Sequence, residues 1–222
     1  MSGVPVITID GPGGSGKGTV GRQLAQRLGW AFLDSGALYR VTALAAIDQG
    51  LDLADQSAIA SLIPSLDIAF GSGDSVLLGG EEVGDRLRTE QAGNAASKVA
   101  AHPTVRAALL QWQRDFRRPP GIVADGRDMG TVVFPDAGVK VFLTASVEER
   151  ARRRYKQLIE KGLDANISAL SDEIAERDAR DTQRAAAPLR AAADALVLDS
   201  TAMSIDEVVE RILAEAERIL RC

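Results

Sequence analysis

The stretch Gly11-Pro12-Gly13-Gly14-Ser15-Gly16-Lys17-Gly18-Thr19 has the composition of a backbone cradle for phosphate. Glycines let successive N–H groups curl inward toward phosphate oxygens, and the positive end of a following helix adds to the field. Lys17 brings a mobile cation to the β/γ-phosphates of a nucleotide, and a hydroxyl near the helix start can ligate Mg2+. The spacing satisfies G-x-x-x-x-G-K, but Gly18 stands where the usual loop has Ser or Thr, so Thr19 supplies the hydroxyl one position later. A glycine-rich turn with an incidental lysine is the bland alternative. The strand before the loop and the helix after it argue against that reading and for a nucleotide site.

A second set of groups lies downstream. Asp125 ends the run Ile122-Val123-Ala124-Asp125, where a carboxylate at a sheet's ligand-facing edge can hold Mg2+, directly or through water. Arg127 and Asp128 follow it at the same edge, and Arg40 follows a turn that opens the next helix. In a helix expected to begin near Ser171, Leu170, Ile174, Arg177, Asp181 and Arg184 share one face. Charge runs are usually solvated faces, but these charges extend the inward apolar stripe and so suggest the lining of a cleft. Arg150, Arg153 and Arg154 share a side of the preceding helix. Several such donors suit a multiply anionic transition state.

These residues need a scaffold, and the chain supplies one. Continuous apolar strands are expected at 4–10, 122–125, 139–144 and 195–199, and amphipathic helices at 18–28, 147–161 and 204–220. Gly29 should cap the first helix, and Ser146-x-x-Glu149 reads as a capping box for the helix that stops at Gly162. Apolar strands alternating with helices predict an α/β fold, a parallel sheet covered on both faces. Residues 67–84 break the rhythm with short strands between glycine-rich turns, which predicts a small antiparallel insertion. Trp112 and Phe116 fall on the apolar face of a helix at 103–116 and read as core. His102, the single histidine, has no partner for metal or general-base work.

The 222 residues carry 26 basic and 31 acidic side chains, a formal charge of -5. That length and balance fit one domain with insertions, and a net acidic chain is a poor coat for nucleic acid or an anionic membrane. Of the 26 basic residues only five are lysine, so the positive charge is almost all planar guanidinium, the shape best suited to gripping one phosphate. The single Cys222, the lack of a basic n-region before an apolar run and the lack of any stretch near 18 apolar residues predict a soluble protein of a reducing, cytoplasmic compartment.

Taken in order, Val6-Ile-Thr-Ile-Asp-Gly-Pro with Gly16-Lys-Gly-Thr, Leu33-Asp-Ser-Gly-Ala-Leu-Tyr-Arg40, Asn94-Ala-Ala-Ser97, Ala124-Asp-Gly-Arg-Asp-Met-Gly-Thr131 and Glu176-Arg-Asp-x-Arg-Asp181 resemble bacterial cytidylate (CMP) kinases over essentially the full length. The phosphate loop is shared by many kinases, whereas the D-S-G-A-x-Y-R and D-G-R-D-M-G-T blocks are particular to this family. Gly84 departs from the pattern, standing where a more polar turn residue is expected. The resemblance implies a P-loop nucleoside-monophosphate-kinase fold: a core at 1–60 and 100–222, an inserted monophosphate-binding subdomain at about 61–99, and a short helical lid at about 150–170. It implies ATP and CMP or dCMP as substrates, Mg2+ arriving with ATP, a place in pyrimidine nucleotide recycling, and a monomer without nucleic-acid or membrane partners.

The resemblance also assigns roles. Gly11 through Thr19, with Arg150 and Arg154, would hold ATP, and Thr19 and Asp125 would hold Mg2+. Lys17, Arg40, Arg127 and Arg184 would be catalytic, the three arginines gripping the CMP phosphate with Ser35 and Tyr39 nearby. Arg177 and Asp181 would contact the sugar hydroxyls, and Ser97, Arg106 and Asp128 would read the base. A carboxylate can accept from the cytosine N4 amino group and a guanidinium can donate to N3 or O2, a pattern that uracil reverses. Three rivals stand beside this reading. A kinase for UMP or shikimate shares the loop. A regulatory GTPase would need an Asn-Lys-x-Asp guanine reader, and Asn94 and Asn166 are followed by Ala and Ile. A noncatalytic nucleotide-binding module would have no need of the acceptor-side arginines.

Overall fold

The computed structural model describes residues 3–71, 75–160 and 162–220; Cys222, Lys161 at the expected helix end and the turn at 72–74 lie outside them. The chain begins with β1 (Val6–Asp10), α1 (Lys17–Leu28) and β2 (Ala31–Asp34). There follow α2 (Ser35–Asp48), α3 (Gln56–Leu62), β3 (Ile68–Phe70), β4 (Val76–Leu78), β5 (Glu81–Glu82), α4 (Gly84–Leu87), α5 (Glu90–Val99) and α6 (Pro103–Arg114). The last third holds β6 (Ile122–Gly126), a π-type turn Met129–Val133, β7 (Val139–Thr144), α7 (Val147–Glu160), α8 (Ile167–Gln183), β8 (Leu196–Asp199) and α9 (Ile205–Leu220). Two compact units result, one from the chain up to Asp34 and from Arg114 onward, the other from Ser35–Gln113.

The first unit is the expected parallel sheet, in the order β2-β6-β1-β7-β8. All five residues of β1 and all five of β6 are buried, the burial a central parallel strand needs when helices cover both faces. Ile7, Ile9, Val123, Val141 and Leu143 from the sheet pack with Val20 and Leu24 of α1 and Val209 and Ile212 of α9. The register pairs Ile9 with Asp125 and Asp34 with Asp125, which lines up the carboxyl ends of β1, β2 and β6. In an open α/β sheet those ends are where ligands bind.

Local chemistry sets the boundaries. α1 ends at Gly29 in the left-handed conformation, as its position predicts. α7 is capped by half a box only: Ser146 Oγ accepts from Glu149 N at 3.2 Å, but the Glu149 carboxylate turns to Arg153. α8 starts at Ile167, about one turn before the expected Ser171, because Asn166 accepts from Ser168 N and Ala169 N and caps the helix there. α9 carries a complete box, with Ser204 and Glu207 each accepting from the other's backbone N–H.

In the second unit, β3-β4-β5 form the expected antiparallel sheet. Glu82 closes it by accepting from the Ser75 hydroxyl, Val76 N and Gly84 N, so Gly84 donates to Glu82 and opens α4. Trp112 packs on this unit's core with Phe70, ring centres 5.7 Å apart, in the core role read from its helix face. His102 Nε2 lies 2.7 Å from Leu53 O, a structural contact.

The phosphate loop leaves β1 through Gly11, whose φ is 151°. A Cβ built there would lie 2.0 Å from Leu143 O, because the loop entry runs against the end of β7. Gly11→Ala is therefore expected to destabilise the protein by about 3 kcal/mol through overpacking and backbone strain, read as a shift in the urea unfolding midpoint.

Candidate active site

The loop between β1 and α1 has the build of an anion site. Gly14 and Gly16 adopt φ values of 77° and 95°, conformations open to glycine, and Gly16 has no side chain with which to cap α1. The first N–H groups of α1 therefore receive no side-chain cap from Gly16, the condition under which a helix start can donate to an anion. Ser15 Oγ donates to Pro12 O at 3.1 Å, and Lys17 Nζ donates to the same carbonyl at 2.9 Å, folding the lysine back along the loop. Lys17 lies 3.9 Å from Asp125 Oδ1, and Asp125 Oδ2 stands 3.4 Å from where a Cβ at Gly18 would be. A carboxylate thus sits beside the start of α1, the helix end that also carries Thr19.

Cations surround this loop. A Cβ at Gly13 would meet Arg127 Nη2 at 3.6 Å and Arg177 Nη1 at 3.8 Å, and one at Gly14 would meet the Arg150 side chain at 3.2 Å. Arg150 is buried on α7 and spends all three of its nitrogens: Nε donates to Ala145 O, Nη1 to Gly13 O and Nη2 to Asp178 at 2.6 Å. Arg153 also reaches the loop, with Nη1 3.2 Å from Ser15 O and Nη2 2.6 Å from Ser200 O. Arg154 donates to Gln157 one turn on. Arg153 shares the helix side read from the sequence but has no individual role there, and neither Asp178 nor Ser200 has one; Ser200 directly follows β8 at the ligand-facing edge, a position that could have flagged it.

On the other side of the loop, the arginines are paired with aspartates. Arg127 Nε donates to Asp181 Oδ2 at 2.9 Å, joining the segment after β6 to α8. Arg184 Nη2 lies 3.6 Å from Asp128 Oδ1, both side chains being buried. Arg184 is the residue at which α8 ends, and its Nε donates to Ala187 O at 2.7 Å. Ala187 is the one described non-glycine residue at positive φ, 50°, so the turn that receives Arg184 is strained.

Charge follows from this packing. Burial pushes Lys17 down to about 7, helped by Arg127 and opposed by Asp125. Burial pushes Asp10 up to about 7 against two backbone hydrogen bonds that favour its ionised form. Burial also opposes ionisation of Asp181, but Arg127, Arg177 and Arg184 hold its carboxyl below the usual range. Arg127 in turn is lifted above its ordinary value by Asp181, against its own burial.

Sequence expectation thus meets geometry in the first unit, where Lys17, Asp125, Arg127, Arg177, Asp181, Arg184 and Asp128 are brought together. In the second unit Ser35, Tyr39, Ser97 and Arg106 are buried, and Arg40 is half-buried on α2. The Arg106 guanidinium lies 5.7 Å from the Tyr39 ring centre and donates to Ala100 O at 3.4 Å. Among the described residues no group of three or more His, Cys, Asp or Glu could cage a metal, and no helix is long and apolar enough to cross a membrane.

Comparison with known proteins gives a consistent family. The cytidylate kinase family model matches residues 7–218. A cytidylate kinase of Methylococcus capsulatus is 60% identical over 213 residues, covering 95% of this chain and 96% of that protein. One of Pseudomonas aeruginosa is 60% identical over 220 residues, covering 97% and 96%. Among solved structures, a gluconokinase from Sinorhizobium meliloti aligns with a TM-score of 0.48 at 18% identity, covering 97% of this chain and 93% of that one.

The Arg127–Asp181 pair makes a prediction about stability. Asp181→Asn leaves the Arg127 guanidinium without its counter-charge and should cost about 3 kcal/mol at neutral pH. Because the folded carboxyl titrates below its ordinary value of 3.8, its contribution is present above that value and is lost as pH falls further. Urea unfolding of wild type and variant should therefore differ at pH 7 and converge in acid.

Proposed function

The chain belongs to the cytidylate kinase family, and we infer that it transfers the γ-phosphoryl group of ATP to CMP or dCMP, releasing ADP and CDP or dCDP. The observation that carries the reading is the crowd of cations on one glycine loop. Lys17 lies within it, and Arg127, Arg177 and Arg150 stand over Gly13 and Gly14. Such a cluster suits the spread negative charge of a phosphoryl group in transit.

The acceptor's attacking atom is an oxygen of an already anionic phosphate, so no general base is required. Catalysis is then alignment plus neutralisation of charge. In the proposed complex Lys17 exchanges the Pro12 carbonyl for ATP phosphate oxygens, and the α1 N–H groups and the loop backbone, Gly11 to Thr19, hold the rest of the chain of phosphates. Arg150, which already donates to Gly13 O, and Arg154 one turn on are the proposed α7 contacts to ATP. The α7–α8 segment closes over the nucleotide and excludes water. Arg40, Arg127 and Arg184 grip the CMP phosphate, with Ser35 and Tyr39 beside it. Arg177 and Asp181 take the sugar hydroxyls, and Ser97, Arg106 and Asp128 read the base.

Mg2+ fits this donor set. The Thr19 hydroxyl and the Asp125 carboxylate are hard oxygen ligands at one helix end, too few for a resident cage and suited to an ion delivered with a triphosphate. When bound, Mg2+ supplies neutralisation of charge on the transferring phosphate.

Two experiments check the reading. In an ADP-release assay with CMP, dCMP, UMP, AMP and shikimate as acceptors, the cytidine nucleotides should be fastest; a higher rate with UMP or AMP rejects the base assignment. Asp128→Ala should lower the CMP-over-UMP preference by about tenfold or more, while equal losses for both acceptors would remove Asp128 from base recognition. The low Lys17 value gives a third outcome. At pH 8 the free lysine is mostly neutral, and bound polyphosphate must raise its proton affinity. Titration calorimetry in buffers of different ionisation enthalpy should therefore register proton uptake on ATP binding at pH 8, less of it at pH 6, and a smaller uptake in Lys17→Met.

A further inference from the structure

We propose that Asp10 is a positioning residue for acceptor recognition. From the last position of β1 it holds, by two hydrogen bonds to backbone, the turn that begins directly after Arg127 and Asp128. Asp10 Oδ1 accepts from Met129 N and Oδ2 from Gly130 N, both at 2.8 Å. Asp10 is 4% exposed, so the carboxylate has given up nearly all its water for these two donors. Ionised carboxylates are retained in such places only when their oxygens are satisfied.

The arrangement divides two tasks between two aspartates. The turn Met129–Val133 opens with backbone N–H groups that need acceptors, as any helical turn does. An Asp at the position before such a turn ordinarily bends back and caps it. Asp128 occupies that position, with φ −149° and ψ 24°, and makes no side-chain cap. Asp10, on a different strand, does the capping instead. The Asp128 carboxylate instead stands 3.6 Å from Arg184.

Close approach makes the hold specific. β1 pairs with β6 in register, Asp10 beside Gly126, and the chain leaves the sheet at that point. Gly130 returns so near to β1 that a Cβ on it would lie 2.8 Å from Thr8 Oγ1. The Gly126–Gly130 segment is thus fixed at both ends, by the ladder at one and by Asp10 at the other, and Arg127 and Asp128 project from between. Because Asp10 immediately precedes Gly11, the same residue also ends where the phosphate loop begins.

This inference rests on the proposed acceptor roles of Arg127 and Asp128, and the test separates the two. Asp10→Asn keeps the shape but turns one acceptor into an amide donor facing an N–H. It is expected to raise the KM for CMP about tenfold, to change the KM for ATP less than about twofold, and to lower the ratio of kcat/KM for CMP over UMP about tenfold. In an Asp128→Ala background the same substitution should leave that ratio where it is, since Asp10 acts on it through Asp128. A variant whose kcat falls while the KM for CMP and the ratio stay at wild-type values overturns the proposal, as does an equal change of ratio in both backgrounds. If Asp128→Ala alone leaves the ratio untouched, base reading by Asp128 has failed, and the KM for CMP of Asp10→Asn still decides the positioning role. Should Asp10→Asn not fold, Gly130→Ala moves the same turn against Thr8 Oγ1. It should raise the KM for CMP, and adding Thr8→Ala should restore it; an unchanged KM for CMP in folded Gly130→Ala rejects the proposal.

Discussion

The first unit depends on keeping a crowd of buried cations together. Lys17, Arg127 and Arg150 lie in or beside the phosphate loop, and Arg184 lies against Asp128, all with little water around them. Like charges in a weakly screened space repel, and burial adds a desolvation cost to each. The chain meets this with one aspartate for each: Asp125 for Lys17, Asp181 for Arg127, Asp178 for Arg150 and Asp128 for Arg184. Lys17 has the weakest of these partners, at 3.9 Å, and it is the one whose proton affinity drops to about 7. These internal carboxylates hold the cations in place beside one another.

Backbone geometry imposes the second constraint. At the ligand-facing edge the backbone approaches its neighbours more closely than side chains allow. Gly11 against Leu143 O and Gly130 against Thr8 are the two places where the described contacts leave no room for a methyl group on the ligand-facing edge. The parallel register supplies the rest, since it brings the ends of β1, β2 and β6 level and so places the loop, Asp34 and Asp125 at one rim. Loop and turn chemistry can then vary above a sheet whose buried residues have only packing to satisfy.

Much of this could be read along the chain because it is local. Strand, glycine loop, lysine and helix follow one another within residues 6–28, and each is specified by its own composition. Arg177 and Asp181 fall on one face of α8 for the same reason, a fixed 3.6-residue period. What stayed hidden were pairings across long separations and small competitions at element ends. Arg127 and Asp181 are 54 residues apart, and Asp10 and Met129 are 119 apart. The start of α8 moved because the Asn166 side chain outcompeted a longer loop, a signal present in Asn166-Ile167-Ser168 but weak beside the apolar stripe further on. Arg150 and Arg154 share a helix face with Arg153, yet it is Arg150 and Arg153 that reach the loop carbonyls. Periodicity places three arginines on a face and says nothing about which of them a neighbouring backbone will engage.

Residue order alone was enough for the element types, the parallel core with its antiparallel insertion, the phosphate loop and the class of chemistry. All of these rest on short-range spacing and on side-chain composition. The partnership of each cation, the protonation of Lys17 and Asp10, and the service of Asp10 as cap to a turn on another strand came only with folding. Those properties depend on distance and dielectric, and the chain acquires both when β1 and β6 are laid side by side and the water between them is gone.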